Sequence, residues 1–274
     1  MLSHARNGLV RTDAFDMHYV RFGQGKRVFV VIPGLSDGLH TVKGRARMLE
    51  GAYRPFFKDF TVYMFSRRNA LKEGMSIRDM AADQARAMEA IGITRACVMG
   101  ISQGGMIAQY LAIDHPETVE RLVLAVSAPE ANPTLCACVE KWMGLAREGD
   151  FKRLLISVSE NSYSPEKLQK MRRLYPLIPL LGKPKSFDRY FVNANAILHF
   201  DASDEVSRIT CPTFIIGGAE DKTVTAEGSH RLHELIAESR LHIFPGYGHA
   251  AFMEMEKDFN KLVLGFLNES LIHR

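Results

Sequence analysis

One stretch, residues 96–114, constrains the fold of this 274-residue chain more than any other. It begins with a short apolar run at residues 97–99, continues as GISQG at residues 100–104, and ends in apolar side chains at helical spacing. A strand that reverses sharply into a helix holds the turn residue in a strained backbone conformation, and side chains at the flanking positions would collide. The pattern therefore predicts a strand, a tight turn and a helix, with Ser102 exposed at the turn.

The turn fits the pattern G-x-S-x-G, in which the serine hydroxyl is a nucleophile. The pentapeptide alone is a weak signal, so its surroundings matter. Gly105 adds a small residue where helix and strand pack closely, and Pro116 follows the helix. The apolar residues behind the turn are Met106, Ile107, Tyr110 and Leu111. We therefore predict a nucleophile elbow at Ser102, with the N–H of Gln103 at a helix N-terminus, where it can stabilise a developing oxyanion.

Apolar runs of strand length alternate with helical segments along most of the chain. These runs are residues 28–32, 61–65, 97–99, 122–126, 213–216 and 241–244. Because the runs are continuously apolar, both faces of each strand are expected to be buried, as in a mostly parallel sheet with helices on both faces. Residues 18–22 are also expected to form a strand, and the alternation of Met17 and Tyr19 beside them predicts an exposed sheet edge. The predicted fold class is α/β.

The alternation of strands and helices is interrupted between Asn132 and about Ser207. Helical segments broken by prolines such as Pro165 and Pro184 replace it. We predict a core at residues 1–131, an insertion at residues 132–207 and the second part of the core at residues 208–274. The substrate contacts are expected within the insertion, wherever it covers Ser102, and the sequence singles out no individual residue for this role.

Three chemically suited side chains each follow a predicted strand: Ser102, Asp221 and His249. Loops at the carboxyl ends of parallel strands share one edge of the sheet, so these side chains can converge. A serine hydroxyl needs a base within hydrogen-bonding reach, a histidine can take its proton, and a carboxylate then orients the imidazole. Glu220 and Glu130 are alternatives to Asp221 as the acid.

A second loop, PGLSDG at residues 33–38, follows the apolar run at residues 28–32. A glycine turn after a central strand can direct backbone N–H groups at a ligand, and the N–H of Leu35 is the natural donor. The alternative interpretation is an ordinary connection between a strand and a helix.

Composition limits the classes of partner. The chain carries 35 basic and 31 acidic residues, and their scattered distribution indicates no nucleic-acid partner. No apolar run approaches the length of a membrane span, so no membrane partner is expected. Cys136 and Cys138 are too close for an easy disulfide and lack nearby histidines for zinc, which favours a reducing, cytoplasmic location. Without a phosphate-binding glycine motif or a metal-ligand cluster, we predict no metal and no organic cofactor.

Four segments together resemble the α/β-hydrolase superfamily: PGL, GISQGG, GGAED and GYGHAAF. The resemblance covers about residues 18–268, and the order serine, aspartate, histidine is that of the family. It implies that Ser102 is the nucleophile, His249 the base and Asp221 the orienting acid.

The same resemblance implies an oxyanion hole made by the backbone N–H groups of Leu35 and Gln103. It also implies that residues 132–207 form a helical cap over the sheet. The chain departs from the pattern at one point, because Pro33-Gly34 stands where many members carry His-Gly. This difference concerns the geometry of the loop and leaves a backbone donor in place.

These features predict a serine hydrolase that cleaves a small ester, or a similar acyl substrate, through an acyl-serine intermediate. Aminopeptidase action, C–C bond hydrolysis, acyl transfer and peracid formation are alternatives on the same three residues, because the cap and loops select the substrate. An aminopeptidase needs an anionic anchor for the substrate amine, and Glu160 and Glu166 are the candidates. A ligand-binding receptor or scaffold with little turnover is the alternative from another class. A monomer or homodimer is expected.

Overall fold

The computed structural model describes residues 4–269. Within that range eight strands form one sheet: β1 (Arg6–Arg11), β2 (Asp16–Phe22), β3 (Arg27–Ile32), β4 (Phe60–Phe65), β5 (Ala96–Ile101), β6 (Val119–Ala125), β7 (Thr213–Gly218) and β8 (Ser239–Phe244). Their order across the sheet is β1-β2-β4-β3-β5-β6-β7-β8. The pairs β1–β2 and β2–β4 are antiparallel, and the others are parallel. The predicted α/β class with a mostly parallel sheet is therefore confirmed.

The α-helices are α1 (Ala46–Tyr53), α2 (Ile77–Ala90), α3 (Gln103–Asp114), α4 (Pro133–Arg147), α5 (Phe151–Ser162), α6 (Pro165–Arg172), α7 (Asp188–Leu198), α8 (Thr225–Leu235), α9 (Ala251–Glu254) and α10 (Glu256–Asn268). Short 3₁₀ helices cover Leu35–Gly38, Arg54–Phe56, Pro116–Thr118, Tyr175–Leu181 and Val206–Arg208. None of the helices among these residues is both long enough and apolar enough to cross a membrane.

Two details at one edge of the sheet differ from the sequence analysis. The prediction that β2 is an edge strand is wrong, because β1 pairs with one side of it and β4 with the other. The edge strand β1 was not predicted. Its sequence, RNGLVR, carries a single fully buried residue, Val10, and therefore lacks an apolar run.

The strands alternate their side chains between two apolar layers. Val30 and Val98 belong to one layer, together with Ile107 of α3. Phe29 belongs to the other layer, where Val263 of α10 also lies. Because both faces of the central strands are covered, the strands are continuously apolar, as a parallel sheet requires. Full burial of a side chain such as Phe29 stabilises the fold by about 1.5 to 3 kcal/mol.

The predicted insertion lies between β6 and β7, and the four helices α4 to α7 fall within it. Helix α7 packs directly on the loop after β3, because Gly38 has no side chain to hold them apart. A Cβ on Gly38 would lie only 3.0 Å from the Cα of Tyr190 in α7. This contact places one helix of the insertion against the loop that carries Leu35. The division into residues 1–131, 132–207 and 208–274 stays a prediction, and its outermost residues lie outside the described range.

Candidate active site

Ser102 lies at the turn between β5 and α3, with φ of 55° and ψ of −121°. Positive φ is uncommon for a residue with a side chain and stores strain that the surrounding structure must support. The two neighbouring glycines allow this turn. A Cβ on Gly100 would collide with the backbone of Gly104, and a Cβ on Gly104 would collide with the carbonyl of Ile32. The N–H of Ser102 is held by the carbonyl oxygen of Ala125 at 2.8 Å.

A continuous line of hydrogen bonds joins the three predicted side chains. The Nε2 atom of His249 lies 2.9 Å from Oγ of Ser102, and Nδ1 of His249 lies 2.8 Å from Oδ2 of Asp221. The second carboxylate oxygen, Oδ1 of Asp221, accepts the N–H groups of Thr223 at 2.7 Å and Val224 at 3.0 Å. With Nδ1 donating to the carboxylate, Nε2 carries the free lone pair that faces the serine hydroxyl.

The two alternative acids are not part of this line. Glu220 and Glu130 are both exposed, and across residues 4–269 neither is bonded to the imidazole. The side chain of Asp221, by contrast, is only 1% exposed. Of the three carboxylates considered, Asp221 is the one that the structure places against His249.

The loop after β3 approaches the serine closely at Gly34. A Cβ on Gly34 would lie 3.3 Å from Cβ of Ser102 and 3.8 Å from its Oγ. Leu35 follows as the first residue of the 3₁₀ helix Leu35–Gly38. Within the described part of the chain, the N–H groups of Leu35 and Gln103 donate to no protein acceptor. The role of these two N–H groups as oxyanion donors stays a prediction.

A buried arginine, which the sequence analysis did not single out, joins these two segments. Arg67 is 1% exposed, and its Nη2 donates to the carbonyl oxygen of Pro33 at 2.7 Å and to Oε1 of Gln103 at 2.9 Å. Burial lowers the pKa of Arg67 to about 10, so it stays charged at neutral pH. The side-chain nitrogen of Gln103 donates in turn to the backbone oxygen of Asn193 in α7, at 2.8 Å.

A second polar contact joins α7 to the loop through Asp37. Oδ2 of Asp37 accepts the N–H of Arg67 at 3.0 Å and Nη2 of Arg189 at 2.7 Å. Arg189 also donates to the backbone oxygen of Arg68 at 2.6 Å. The sequence offered one signal for this network, the Arg67-Arg68 pair that follows a buried strand after Ser66, but the partners are distant in the chain.

A cavity of about 380 Å³ opens onto Ser102 and His249. Its walls are mostly apolar and come largely from the loop after β3, from α9 and from the helices α4, α5 and α7. Residues of the predicted insertion that line it include Leu135, Val139, Trp142, Leu155, Val158 and Tyr190. A depression of about 640 Å³ between β8 and α10 is larger but contains none of the three aligned side chains.

The two acids considered as anchors for a substrate amine lie elsewhere. Glu166 pairs with Lys170 at 2.7 Å on the exposed face of α6, and Glu160 faces Arg172 at 3.9 Å. Neither lines the cavity beside Ser102.

The family follows from the sequence together with this fold. Residues 27–256 match the family described as the alpha/beta hydrolase fold. The chain belongs to that family, and it is a hydrolase of this fold.

The chain is similar over most of its length to hydrolases that act on different small molecules. A putative carbamate hydrolase of Shigella flexneri is 28% identical over 212 residues, which cover 75% of this chain and 78% of that protein. The 2-hydroxy-6-oxo-6-phenylhexa-2,4-dienoate hydrolase of Comamonas testosteroni is 24% identical over 264 residues, covering 93% of this chain and 92% of that protein.

Solved structures agree with the fold. An α/β hydrolase enzyme from a Medee basin deep-sea metagenome library has a TM-score of 0.86 at 22% identity, covering 97% of this chain and 99% of its own. The enol-lactonase of Burkholderia xenovorans has a TM-score of 0.78 at 21% identity, covering 96% of this chain and all of its own.

Proposed function

We propose that this hydrolase cleaves a small, uncharged ester through an acyl-serine intermediate. The observation that carries the proposal is the unbroken line of hydrogen bonds from Ser102 through His249 to Asp221. A serine hydroxyl aligned with an imidazole, and an imidazole aligned with a buried carboxylate, form the arrangement that activates serine for attack on a carbonyl carbon.

In the first half of the reaction, His249 accepts the proton of Ser102 as Oγ attacks the ester carbonyl carbon. The carbonyl oxygen becomes negatively charged, and the N–H groups of Leu35 and Gln103 stabilise it. His249 then donates its proton to the leaving alcohol, which leaves the acyl group on Ser102. In the second half, His249 takes a proton from water as the water oxygen attacks the acyl carbon. It then returns that proton to Oγ of Ser102 as the bond between Oγ and the acyl carbon breaks, which releases the acid and restores the serine hydroxyl. Asp221 stabilises the imidazolium at each stage.

Within this proposal, residues 132–207 act as a cap that forms much of the substrate cavity. Its support is the set of lining residues that α4, α5 and α7 contribute. A substrate bound between the cap and the loop after β3 is shielded from bulk water at its reacting atoms. The apolar wall favours substrates whose own surface is apolar.

C–C bond hydrolysis is the second candidate, because the relative from Comamonas testosteroni is named for a dienoate substrate. A dienoate carries a carboxylate, and burying an unpaired carboxylate is costly. Of the described residues that line the cavity, none is lysine or arginine. This difference favours an uncharged ester over an anionic substrate. The aminopeptidase alternative has less support, because neither Glu160 nor Glu166 lines the cavity.

Covalent labelling tests the proposal directly. A fluorophosphonate probe is expected to modify the protein at Ser102, as located by mass spectrometry of its peptides, and to abolish hydrolysis of p-nitrophenyl esters. The Ser102→Ala variant should fold normally, resist labelling and lose about 10⁴-fold or more in rate. Unchanged ester hydrolysis in that variant would refute the assignment, and an unreactive wild-type protein would favour a receptor or scaffold.

A further inference from the structure

Helix α9 follows the loop that carries the proposed base, and both of its ends are bonded to the predicted insertion. At its start, the N–H of Ala250 donates to the carbonyl oxygen of Ser162 at 2.9 Å. At its end, the carboxylate of Glu254 accepts two hydrogen bonds from Ser164, one from the N–H at 2.9 Å and one from the hydroxyl at 2.6 Å. The turn between α5 and α6, residues 162–164, therefore holds the segment beside the base.

The turn lies so close to the base loop that a side chain would not fit between them. A Cβ on Gly248, one residue before His249, would lie 2.8 Å from the carbonyl oxygen of Ser162 and 3.1 Å from that of Glu220. The φ angle of Gly248 is not positive. The close approach of the turn, and not an unusual backbone conformation, therefore accounts for a glycine at this position.

The backbone around His249 is attached on both sides. On one side, the N–H of Glu220 donates to the carbonyl oxygen of Tyr247 at 2.8 Å, which ties the loop to the end of β7. On the other side, Ala250 is bonded to the turn. The two bonds to the Glu254 carboxylate are charge-assisted and therefore stronger than the neutral bond to Ala250. Removing this carboxylate would loosen the turn and, with it, one of the two attachments of the histidine.

We propose that Glu254 is a positioning residue, which holds the α5–α6 turn against the base loop and so keeps the imidazole of His249 in line with Ser102. The inference rests on the proposed ester hydrolase function. Glu254 does not line the cavity beside Ser102, so it acts through the turn and not on the substrate. The contact that it supports is the 2.9 Å between Nε2 of His249 and Oγ of Ser102. A displacement of about 1 Å at such a contact can lower a rate about 100-fold.

Steady-state kinetics with a p-nitrophenyl ester test the inference. Glu254→Ala removes both acceptors, so kcat should fall about 10- to 100-fold while KM changes by less than about twofold. Glu254→Gln should restore most of kcat, because its amide oxygen can accept the N–H of Ser164 while its amide nitrogen donates to the hydroxyl oxygen. Failure of this rescue would overturn the inference, since the charge and not the two bonds would then be responsible.

Asp150→Ala is the matched control. Asp150 is another half-buried carboxylate of the predicted insertion, and it caps α5 by accepting the N–H of Arg153 at 2.9 Å. Its loss should destabilise that helix and leave kcat close to that of the wild type. Equal losses of kcat in Asp150→Ala and Glu254→Ala would overturn the inference. A rise in KM alone in Glu254→Ala would also do so, because the turn would then only shape the cavity wall, to which Ser162 and Tyr163 contribute.

Nuclear magnetic resonance of the imidazole separates this inference from the proposed function. In protein labelled with ¹⁵N-histidine, the Nε2 resonance of His249 reports the hydrogen bond from Ser102, and Ser102→Ala marks its position when that bond is lost. In Glu254→Ala the resonance should move toward this position, and in Glu254→Gln it should stay close to that of the wild type.

These measurements need no turnover. If the wild-type protein hydrolyses no ester and resists the fluorophosphonate probe, the proposed function fails, while the Nε2 resonance of His249 still tests the role of Glu254. If the resonance in Glu254→Ala coincides with that of the wild type, the inference is overturned even in an active esterase.

Discussion

Nη2 of Arg67 lies 2.9 Å from Oε1 of Gln103, the residue directly after Ser102. The same nitrogen is 2.7 Å from the carbonyl oxygen of Pro33. One buried cation therefore holds both segments whose N–H groups we propose as oxyanion donors. Charge-assisted hydrogen bonds of this kind are stronger than neutral ones, and they fix the spacing between the two segments.

The first prediction concerns this positioning role of Arg67. Arg67→Met removes both hydrogen bonds and leaves two buried acceptors unsatisfied, which should lower the free energy of unfolding by about 2 to 4 kcal/mol. Because the oxyanion donors lose their common support, kcat should fall about 10- to 100-fold with little change in KM. Arg67→Lys should restore part of kcat, since lysine supplies a donor without the planar fork. Denaturant unfolding and steady-state kinetics measure these effects.

Arg68 provides the matched control. Its guanidinium pairs with Asp83 rather than with the loop after β3. Arg68→Met should therefore destabilise the protein while kcat stays close to that of the wild type. Equal losses of kcat in the Arg67 and Arg68 variants would show that general destabilisation, and not loop position, accounts for the effect.

A second prediction concerns the acid. Asp221→Asn should lower kcat about 10⁴-fold, because the amide no longer holds the imidazole in the correct tautomer. The fold should persist, since an amide oxygen can still accept the N–H groups of Thr223 and Val224. The neighbouring substitution Glu220→Gln should leave kcat unchanged, because Glu220 is exposed and its side chain is not the carboxylate bonded to His249. Comparable losses in both variants would contradict the assignment of the acid.

A pair of glycines gives the third prediction. Gly104→Ala places a methyl group against the carbonyl of Ile32 and should destabilise the protein and displace Ser102. Gly144→Ala, in α4, meets no described atom within 4 Å and should stabilise the protein by about 0.5 to 1 kcal/mol through helix propensity. Thermal unfolding separates the two. An active and equally stable Gly104→Ala protein would contradict the close packing of the elbow.

The fourth prediction concerns stability at high pH. Cys97 is fully buried, and burial raises the pKa of its thiol from 9.0 to about 12. Between these values the unfolded chain has lost the proton while the folded protein keeps it. The contribution of the Cys97 thiol to the free energy of unfolding is therefore fully present below pH 9. It declines as pH rises toward 12, by up to about 1.4 kcal/mol per pH unit.

Above pH 9 the free energy of unfolding should therefore decrease less steeply with pH in Cys97→Ala than in the wild type. The cavity that the substitution leaves lowers stability at every pH by a similar amount. Urea unfolding between pH 8 and pH 11 measures the slope. Cys136→Ala is the control, because Cys136 is only partly buried. Parallel pH profiles for the wild type and the Cys97 variant would contradict the prediction.

The elements that position the site were predictable because each depends on neighbours in sequence. The glycines around Ser102 are a local feature of the sequence. The apolar strands that lead to Asp221 and His249 are equally visible, and topology then brings their ends together. Strand β1 escaped prediction because it buries only Val10 completely.

The polar interior of the site depends on contacts between distant segments, which a single sequence does not reveal. Arginine is usually found at protein surfaces. Arg67 and Arg189 nevertheless both donate hydrogen bonds to Asp37, from which each is distant in the sequence. Which aromatic residues of the insertion line the cavity likewise depends on how α7 packs against Gly38.

The pairing of Arg189 with Asp37 restricts how this scaffold can be re-engineered. Asp37 is 1% exposed, so a chimaera that exchanges residues 132–207 for the corresponding segment of another hydrolase would remove the guanidinium that is paired directly with its carboxylate. Removing one partner of a buried ion pair costs about 3 to 5 kcal/mol. A successful graft must therefore bring an arginine to the same place, or be combined with a neutral residue at position 37.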